Sequence, residues 1–481
     1  MARCALVVLT VAVIAVAMRL PAATPLIEAA GPDAPLIDTW NREVERWVRD
    51  TLIADYRQHG KHNPNWDTEA EDIIGEWARM LGGFDPQRSP RDVREFAYSI
   101  RNDLHCDDPL VLHCCGKLIY HNRRVSKSIP YFRAADESFE DSDYSAMIKS
   151  WNKMEILNIY LSFRPDDTAK HQEIADEVTR LFVQSLTDGD YKDRERLAIE
   201  LMNIYETTHE NISDRISKQL VESLQPFADT WYGATILGRI AINRAWAARG
   251  SGLGSTVTDE GWQGFRTHLS EAERLLTKAW KLAPEQPIAP CHMITVAMGT
   301  QTTDNERTWF DRTVAAEFDY NSAYSKLEWS LRPRWGGSHA AMLALGQECA
   351  DTKRYDTGVP RRQLSALKAV YRELVDDKRT QAIEALFADQ ELWASLKVVL
   401  DQTINMPDIT PKNTKYYRST RAALAWRFGD RDAAAKEVHE LRDGVDDKVL
   451  ATFNLTVDTI LKDYTPDPDA VDPDDEGIDA F

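Results

Sequence analysis

Apolar residues recur every three or four positions along most of this chain, which is the spacing of amphipathic helices. Between Leu36 and Tyr56 one face carries large apolar residues, while arginine and glutamate occupy the opposite face. Thr68–Leu81 and Pro90–Leu104 continue the pattern, and strand-like alternation is scarce throughout. The pattern therefore predicts an all-α protein with an N-terminal helical region over residues 36–105. The apolar face of its first helix is formed by Ile37, Trp40, Val44, Trp47, Val48 and Leu52.

From about Pro109 onward the predicted helices come in pairs joined by short turns. Such pairs bury their apolar faces by stacking on their neighbours, so the series predicts an antiparallel helix-pair solenoid over residues 106–464. A single helix over Val449–Tyr464 is expected to close it. The pairs are Pro109–Asn122 with Ser126–Phe139, Tyr144–Phe163 with Thr168–Leu186, Tyr191–Thr207 with Ser213–Leu224, Thr230–Arg249 with Phe265–Leu282, Ile288–Gly299 with Asn305–Phe318, Ser322–Leu331 with a helix ending near Ala350, Arg361–Leu374 with Thr380–Leu400, and Lys415–Phe428 with Asp430–Arg442.

The segment that follows the predicted helix Ser322–Leu331 carries strong turn signals. Pro333 ends the helix, because proline lacks the N–H that would continue it. Gly336-Gly337 permits a tight reversal, and Ser338 is placed to cap the next helix. Trp335 is expected to fill the angle between the two helices. The apolar face of the first helix is formed by Ala323, Tyr324, Leu327 and Leu331.

Several of the pairs carry part of a known repeat signature. In tetratricopeptide repeats the second helix has a small residue, a bulky residue one turn later and a proline beyond its end. Ala272, Leu276 and Pro284 have this spacing, with Ala279 as a further small residue. The chain thus resembles tetratricopeptide-like solenoids over roughly Pro109–Tyr464. Partial matches occur at Gly116, Phe132 and Ala135, and at Gly429, Asp430, Ala434 and Val438.

A narrower resemblance rests on the sequence Pro-Arg-Trp-Gly-Gly-Ser at Pro333–Ser338. Together with the Trp309-Phe310 helix and the segment Asn321–Leu331, it resembles the signature of an uncharacterised bacterial domain family built on tetratricopeptide-like helices. The resemblance covers about Trp231–Glu373. It implies a fold and says nothing about mechanism.

The charge of the chain narrows the choice of partners. The net charge is −19 and no dense run of lysine or arginine occurs, so a nucleic-acid partner is not expected. Part of the acidity is local, because residues 465–481 contain no basic residue and read as an acidic, disordered tail. Its acidic residues are Asp467, Asp469, Asp472, Asp474, Asp475, Glu476 and Asp479.

Residues 1–23 have the pattern of a secretory signal peptide. Arg3 precedes an apolar run from Cys4 to Met18, and Ala17 and Ala23 are candidate ends of the leader. The run is short for a bilayer span, and no later stretch is long and apolar enough to be one. The protein is therefore expected to be exported to the periplasm or the extracellular space. A leader retained as a membrane anchor is the alternative.

Export makes the cysteines relevant, since disulfides persist outside the cytosol. Removal of the leader leaves five cysteines: Cys106, Cys114, Cys115, Cys291 and Cys349. A disulfide from Cys106 to Cys114 or Cys115 is the favoured pairing, and buried free thiols are the alternative. His105, Cys106, His113 and Cys114 could instead hold a zinc ion, although the spacing is not that of a zinc knuckle. No cofactor is predicted.

No catalytic motif emerges from the sequence, and no catalytic residue is predicted. His209-Glu210 and His439-Glu440 begin like zinc-protease helices, but Ser213 and Asp443 stand where the second histidine would be. The glycine-rich segment Gly250–Gly254 follows a helix and lacks the lysine of a nucleotide loop.

Binding candidates come from arginine and tryptophan. Arg332, Arg334, Arg361 and Arg362 flank two helix junctions, where they could bind an acidic peptide or neutralise helix C-termini. Trp262 and Trp66 stand in loop-like contexts and are possible ligand platforms. The tryptophans expected to pack in the core are Trp40, Trp47, Trp246, Trp280, Trp329 and Trp426.

These observations together predict a non-catalytic scaffold that presents a helical groove to a protein or peptide. The alternative is a helical hydrolase or glycan-acting enzyme whose site the sequence does not reveal. A groove lined by arginine and aromatic residues would favour binding. Two carboxylates that converge in a pocket would favour an enzyme.

Overall fold

The computed structural model describes residues 25–121, 124–208, 213–300 and 304–462. Within these ranges the chain forms twenty-three α-helices and no β-strand, so the all-α prediction is confirmed. None of these helices combines the length and the apolar character that a bilayer span requires. The predicted leader over residues 1–23 and the predicted acidic tail over residues 465–481 lie outside the described ranges.

The helices are numbered in chain order. They are α1 (Pro25–Ala29), α2 (Ile37–His59), α3 (Asp67–Leu81), α4 (Pro90–Asn102), α5 (Pro109–His121), α6 (Val125–Glu140), α7 (Ala146–Phe163), α8 (Thr168–Asp188), α9 (Glu195–Thr208), α10 (Ser213–Ser223), α11 (Trp231–Arg249) and α12 (Asp259–Leu282). The remainder are α13 (Ile288–Gly299), α14 (Glu306–Ala316), α15 (Asn321–Ser330), α16 (His339–Asp351), α17 (Arg362–Asp376), α18 (Thr380–Ala388), α19 (Gln390–Ile404), α20 (Pro411–Arg427), α21 (Arg431–Leu441), α22 (Asp447–Thr452) and α23 (Val457–Leu461).

Two of the predicted helices are each divided in the structure. The prediction over Thr380–Leu400 becomes α18 and α19, because Asp389 leaves the helical conformation and accepts a hydrogen bond from Leu392 N–H at 2.9 Å. The prediction over Val449–Tyr464 becomes α22 and α23, separated where Asn454 adopts a left-handed conformation. Local capping and turn geometry thus interrupt apolar patterns that read as continuous.

The described residues form two compact units. The larger unit is Asp33–Ala341, and the smaller unit combines residues 25–32 with residues 342–462. Each unit has its own buried apolar residues and its own polar contacts.

In the larger unit a buried ion pair joins distant parts of the chain. Arg196 of α9 donates to Glu317 at 2.6 Å and 3.3 Å, and it also donates to Glu200 at 2.8 Å. Arg196 is 5% exposed and Glu317 is 3% exposed. The Arg196 guanidinium lies over the Trp40 ring at 4.4 Å. Burial raises the pKa of Glu317, although the hydrogen bonds from Arg196 oppose this shift.

The start of α2 is fixed by the same region. Ile37 N–H donates to Asp319 Oδ1, and Phe318 N–H donates to the Pro35 carbonyl, both at 2.8 Å. Trp47 stacks on Tyr191 with ring centroids 6.4 Å apart. The aromatic face of the N-terminal region therefore packs against residues around 191–200 and 317–320.

Close contacts between paired helices are made at glycines. A Cβ atom at Gly116 of α5 would lie 2.8 Å from the Phe132 ring of α6, and one at Gly238 of α11 would lie 2.7 Å from Leu276 of α12. Such distances leave no room for a side chain, so these glycines allow the two helices of each pair to pack closely. Gly116, Phe132 and Leu276 belong to the repeat signature read from the sequence.

In the smaller unit, polar side chains connect separate segments. Arg354 donates to the carbonyls of Ala30 and Gly31 at 3.1 Å and 2.7 Å and holds the segment that contains α1. The buried Gln363 donates to Gln347 at 2.7 Å and to Ser395 at 2.8 Å, which ties α17 to α16 and α19.

The turn at Pro333–Ser338 has the geometry that its sequence requires. Pro333–Trp335 forms a single 3₁₀ turn, and Gly336 adopts a left-handed conformation with φ of 91°. A Cβ atom at Gly337 would overlap the carbonyl oxygen of Leu331. Ser338 Oγ accepts a hydrogen bond from Ala341 N–H at 3.0 Å, the capping contact that the sequence predicts.

We therefore expect both glycines of this turn to be required for stability. Gly336→Ala should cost about 1–2 kcal/mol because alanine is strained in the left-handed region. Gly337→Ala should cost about 1–3 kcal/mol through overlap with Leu331. Gly254→Ala is the matched control, since its Cβ would make an ordinary 3.7 Å contact with Trp262. Urea unfolding of the three variants tests this, and equal stabilities would contradict it.

A second prediction concerns the buried ion pair. Arg196→Met leaves Glu317 buried without its partner and should lower the free energy of unfolding by about 3–5 kcal/mol. The double variant Arg196→Met with Glu317→Leu should recover much of that loss, because the unpaired charge is removed. Arg180→Met breaks an exposed pair with Glu177 and should cost at most about 1 kcal/mol. A double variant no more stable than Arg196→Met would contradict the interpretation.

Candidate functional site

Three tryptophans converge in the larger unit, and each comes from the end of a helix or from a turn. Trp246 lies in the last turn of α11, Trp329 is the penultimate residue of α15, and Trp335 ends the 3₁₀ turn. The rings of Trp246 and Trp335 meet edge to face, with centroids 5.7 Å apart. The break at Pro333 and the glycines after it bring Trp335 back toward α11.

These tryptophans line an open cleft of about 490 Å³. Thr295 and Met298 of α13 and Ser325 and Lys326 of α15 complete its lining. Trp329 is 40% exposed, a large value for an aromatic ring in a folded domain. None of the seven lining residues is a carboxylate, and Lys326 is the only charged residue among them.

Guanidinium groups stack on these aromatic rings. Arg332 and Arg334 place their guanidinium carbons 4.4 Å and 4.5 Å from the centre of the Trp329 ring. Arg249 lies 5.5 Å from Trp246 and 5.8 Å from Trp335. Cation–π contacts of this kind orient the rings and place positive charge around the cleft.

The wall formed by α13 and α15 carries one more cation, Lys326 of α15, and His292 of α13 lies near it. Lys326 Nζ donates to Thr295 Oγ1 at 2.9 Å. His292 lies one turn before Thr295, and its pKa is held well below the ordinary value by burial and by the nearby charges of Lys326 and Arg239. His292 is therefore neutral at physiological pH, and Lys326 supplies the charge of this wall.

The arrangement combines apolar aromatic area with positive charge. Large aromatic rings supply contact area for an apolar side chain, and cations around them attract a carboxylate. The cleft therefore suits a ligand that has an apolar or aromatic part beside an acidic group.

The four arginines predicted to bind are divided between the two units. Arg332 and Arg334 stack on Trp329 in the larger unit. Arg361 and Arg362 belong to the smaller unit. They stand at the N-terminus of α17, where a positive charge interacts unfavourably with the helix dipole. Arg361 donates to Met406 Sδ at 3.4 Å. A groove edge shared by all four stays a prediction.

The structure changes the reading of several tryptophans. Trp262 lies in the first turn of α12, not in a loop, because Thr258 caps that helix. Arg249 contacts its ring at 5.4 Å, but Trp262 is not among the residues that line the tryptophan cleft. Trp66 does lie in a turn, but it is only 8% exposed and cannot serve as a platform.

Trp329, which was expected in the core, proves to be a half-exposed cleft residue, and Trp246 lines the same cleft. A signal for Trp329 was present in the sequence. It stands two positions after Leu327, about 200° around the helix and away from the apolar face.

The three cysteines and His113 of the predicted cluster are buried among packed side chains. Cys106, Cys114 and Cys115 are buried free thiols, so the predicted disulfide is not formed in this structure. Burial raises the pKa of Cys106 to about 12. His105 is exposed, whereas His113 is buried and contacts Asn152 at 3.1 Å. Within the described ranges no three histidine, cysteine or acidic residues are placed to hold a metal ion.

Two carboxylates with raised pKa values lie near the start of α7. Burial raises the pKa of Asp55, which hydrogen-bonds to Ser145, and burial also raises the pKa of Asp190, which accepts from Met147 N–H at 3.0 Å. Asp55 lines an open cleft of about 510 Å³ with Asp50, Trp47 and Arg194. Because Asp55 and Asp190 bond to residues at the start of α7, both carboxylates have a structural role in holding the N-terminus of that helix.

Comparison of the chain with protein-family models, with curated proteins and with solved structures finds no match.

The raised pKa of Asp55 predicts a pH-dependent stability. A folded state that holds the proton more tightly than the unfolded chain loses stability as pH rises through the folded pKa. Asp55→Asn removes this loss, so its melting temperature should exceed that of the wild type at neutral pH. The difference should vanish below pH ~3, where the carboxyl is protonated in both the folded and the unfolded state.

Thermal melts across this pH range test the prediction, with Asp50→Asn as the control on the same cleft. Asp50 is exposed and lies near Arg49, so its replacement should change the melting temperature little at either pH. A lower melting temperature for Asp55→Asn at neutral pH would show that the ionised carboxylate stabilises α7.

Proposed function

We propose that this protein is an exported helical scaffold that binds a peptide segment of another protein. Its site is the cleft of Trp246, Trp329 and Trp335. The observation that carries the proposal is the half-exposed Trp329 ring, in cation–π contact with both Arg332 and Arg334, at an aromatic cleft whose lining has no carboxylate. Exposed aromatic area of this kind is typical of the anchor positions of interfaces.

The repeat character of the chain supports a scaffold. Close glycine contacts at Gly116 and Gly238 pack helices in pairs, as tetratricopeptide-like units do. The resemblance of Pro333–Ser338 to the uncharacterised bacterial family adds to this proposal, since that turn supplies one wall of the cleft. Solenoids of this kind commonly bind extended or helical segments of their partners.

The ligand we propose is an acidic segment with one large apolar or aromatic side chain. The apolar side chain would lie against Trp246 and Trp335, and its acidic neighbours would meet Lys326, Arg332 and Arg334. On a chain of net charge −19, a local group of cations favours partners of opposite charge. Nucleic acid is not a suitable partner, because its backbone carries the same sign of charge as the chain.

Export is part of the proposal and rests on the leader pattern of residues 1–23. It implies a partner in the periplasm or outside the cell. In the part of the chain that the structure describes, no helix is long and apolar enough to cross a membrane.

An enzyme remains the second candidate because of Asp55 and Asp190. Both have raised pKa values, and Asp55 borders a cleft, which are features of acid–base pairs. Their hydrogen bonds to Ser145 and Met147 give each a structural role, and for this reason we rank binding first.

Selection of random peptides on the purified protein tests the proposal. Enriched peptides should pair a large apolar residue with aspartate or glutamate. Trp329→Ala should weaken their binding by about thirtyfold, the effect of losing an aromatic anchor. Lys326→Glu should remove the preference for acidic residues.

Tyr416→Ala is the matched control. Tyr416 is 37% exposed and carries its own cation, Lys368, at 4.8 Å, but it belongs to the smaller unit. It should leave peptide binding unchanged. Enrichment of basic peptides, or equal affinity for Trp329→Ala and the wild type, would contradict the proposal. Oligosaccharide binding lost in Trp329→Ala would favour the glycan-acting alternative.

A further inference from the structure

A second cleft, of about 220 Å³, lies along the helix pair α11 and α12. Each helix contributes residues spaced three and four positions apart, which places them on one face. The face of α11 is formed by Leu237, Ile240, Ala241 and Arg244, and that of α12 by Glu271, Arg274, Leu275 and Lys278. The two faces border the cleft together, with further residues from the segment around Gln225.

The cleft holds more positive than negative charge. Three cations, Arg244, Arg274 and Lys278, face two carboxylates, Asp229 and Glu271. Lys278 is already engaged, because it pairs with Asp229 and donates to the Ala228 carbonyl at 3.1 Å. In the described part of the chain Arg244 and Arg274 form no ion pair, so their guanidinium groups keep donors for a ligand.

The walls between these cations are apolar and buried. Leu237, Ile240 and Leu275 are each at most 5% exposed. Low-dielectric walls strengthen the attraction between a cation and an anion in a cleft. Arg244 is half-buried and Arg274 is exposed, so this effect is larger at Arg244. The guanidinium fork matches the oxygens of a carboxylate or a phosphate.

We propose that Arg244, Arg274 and Lys278 form a binding site for a small organic anion, with its carboxylate or phosphate on the arginines. The volume is below that of drug-sized pockets, which sets the size of the ligand. The site is separate from the tryptophan cleft, because Arg244 and Trp246 stand two positions apart in α11 and point about 200° away from each other.

Titration of the full-length protein with two probes tests the site and distinguishes the two anions. Inorganic phosphate and succinate are each added at constant ionic strength, balanced with sodium chloride, and binding is followed by calorimetry. At least one probe should bind saturably, and the stronger one identifies the preferred oxygen group. Arg244→Met with Arg274→Met should weaken its binding about tenfold or more.

The controls separate this site from the rest of the surface. Arg180→Met removes an exposed arginine of another helix and should leave probe binding unchanged. Trp329→Ala should also leave it unchanged, so that failure of the peptide-binding proposal does not affect this one. Circular dichroism melts check that the double variant folds, and Arg274→Lys, which keeps the charge without the fork, should show an intermediate affinity.

Two outcomes would overturn the proposal. One is the absence of saturable binding of either probe beyond the effect of sodium chloride. The other is unchanged affinity in the folded Arg244→Met with Arg274→Met variant.

Discussion

The larger unit depends on the requirement that a buried charge be paired. Arg196 and Glu317 are both withdrawn from water, and each is tolerated only because the other is present. Their contact joins parts of the chain that are 121 positions apart. Trp40 of α2 lies under the Arg196 guanidinium, and Asp319 accepts a hydrogen bond from Ile37 N–H at the start of α2. These two contacts bring the N-terminal helix into the same junction. Helix α15 begins directly after this junction, so the position of Trp329 follows from it.

The tryptophan cleft is built from places where helices end. Trp246 and Trp329 close α11 and α15, and Trp335 follows Pro333 in a turn that only glycine can complete. Trp329 is 40% exposed, and Trp246 and Trp335 are half-buried, so all three border the cleft. The arginines that stack on them both orient the rings and determine the charge that a ligand meets. The contacts that fix the rings are thus the same ones that would meet a ligand in the proposed site.

Several residues with the appearance of a reactive site are explained by packing. Asp108 is buried, yet it accepts hydrogen bonds from Lys61 N–H, Val111 N–H and the Tyr144 hydroxyl and so begins α5. His113, one turn further on, is buried, and burial lowers its pKa to about 4. A neutral histidine and protonated thiols in an apolar interior stabilise helix packing and lack the access that catalysis or metal binding requires.

The sequence by itself determined the all-α class and the approximate positions of most helices. Periodic apolar residues, caps such as Ser338 and breaks such as Pro333 act within a few positions of one another, so they can be read locally. It also singled out Arg332 and Arg334, whose role in binding stays a prediction. Only the tertiary structure decided that Trp329 lines a cleft, that Trp262 does not line it, and that Arg244 and Arg274 share a second cleft. These facts depend on contacts between residues far apart in the chain, and the spacing of residues along one helix carries no information about which distant side chain will face it.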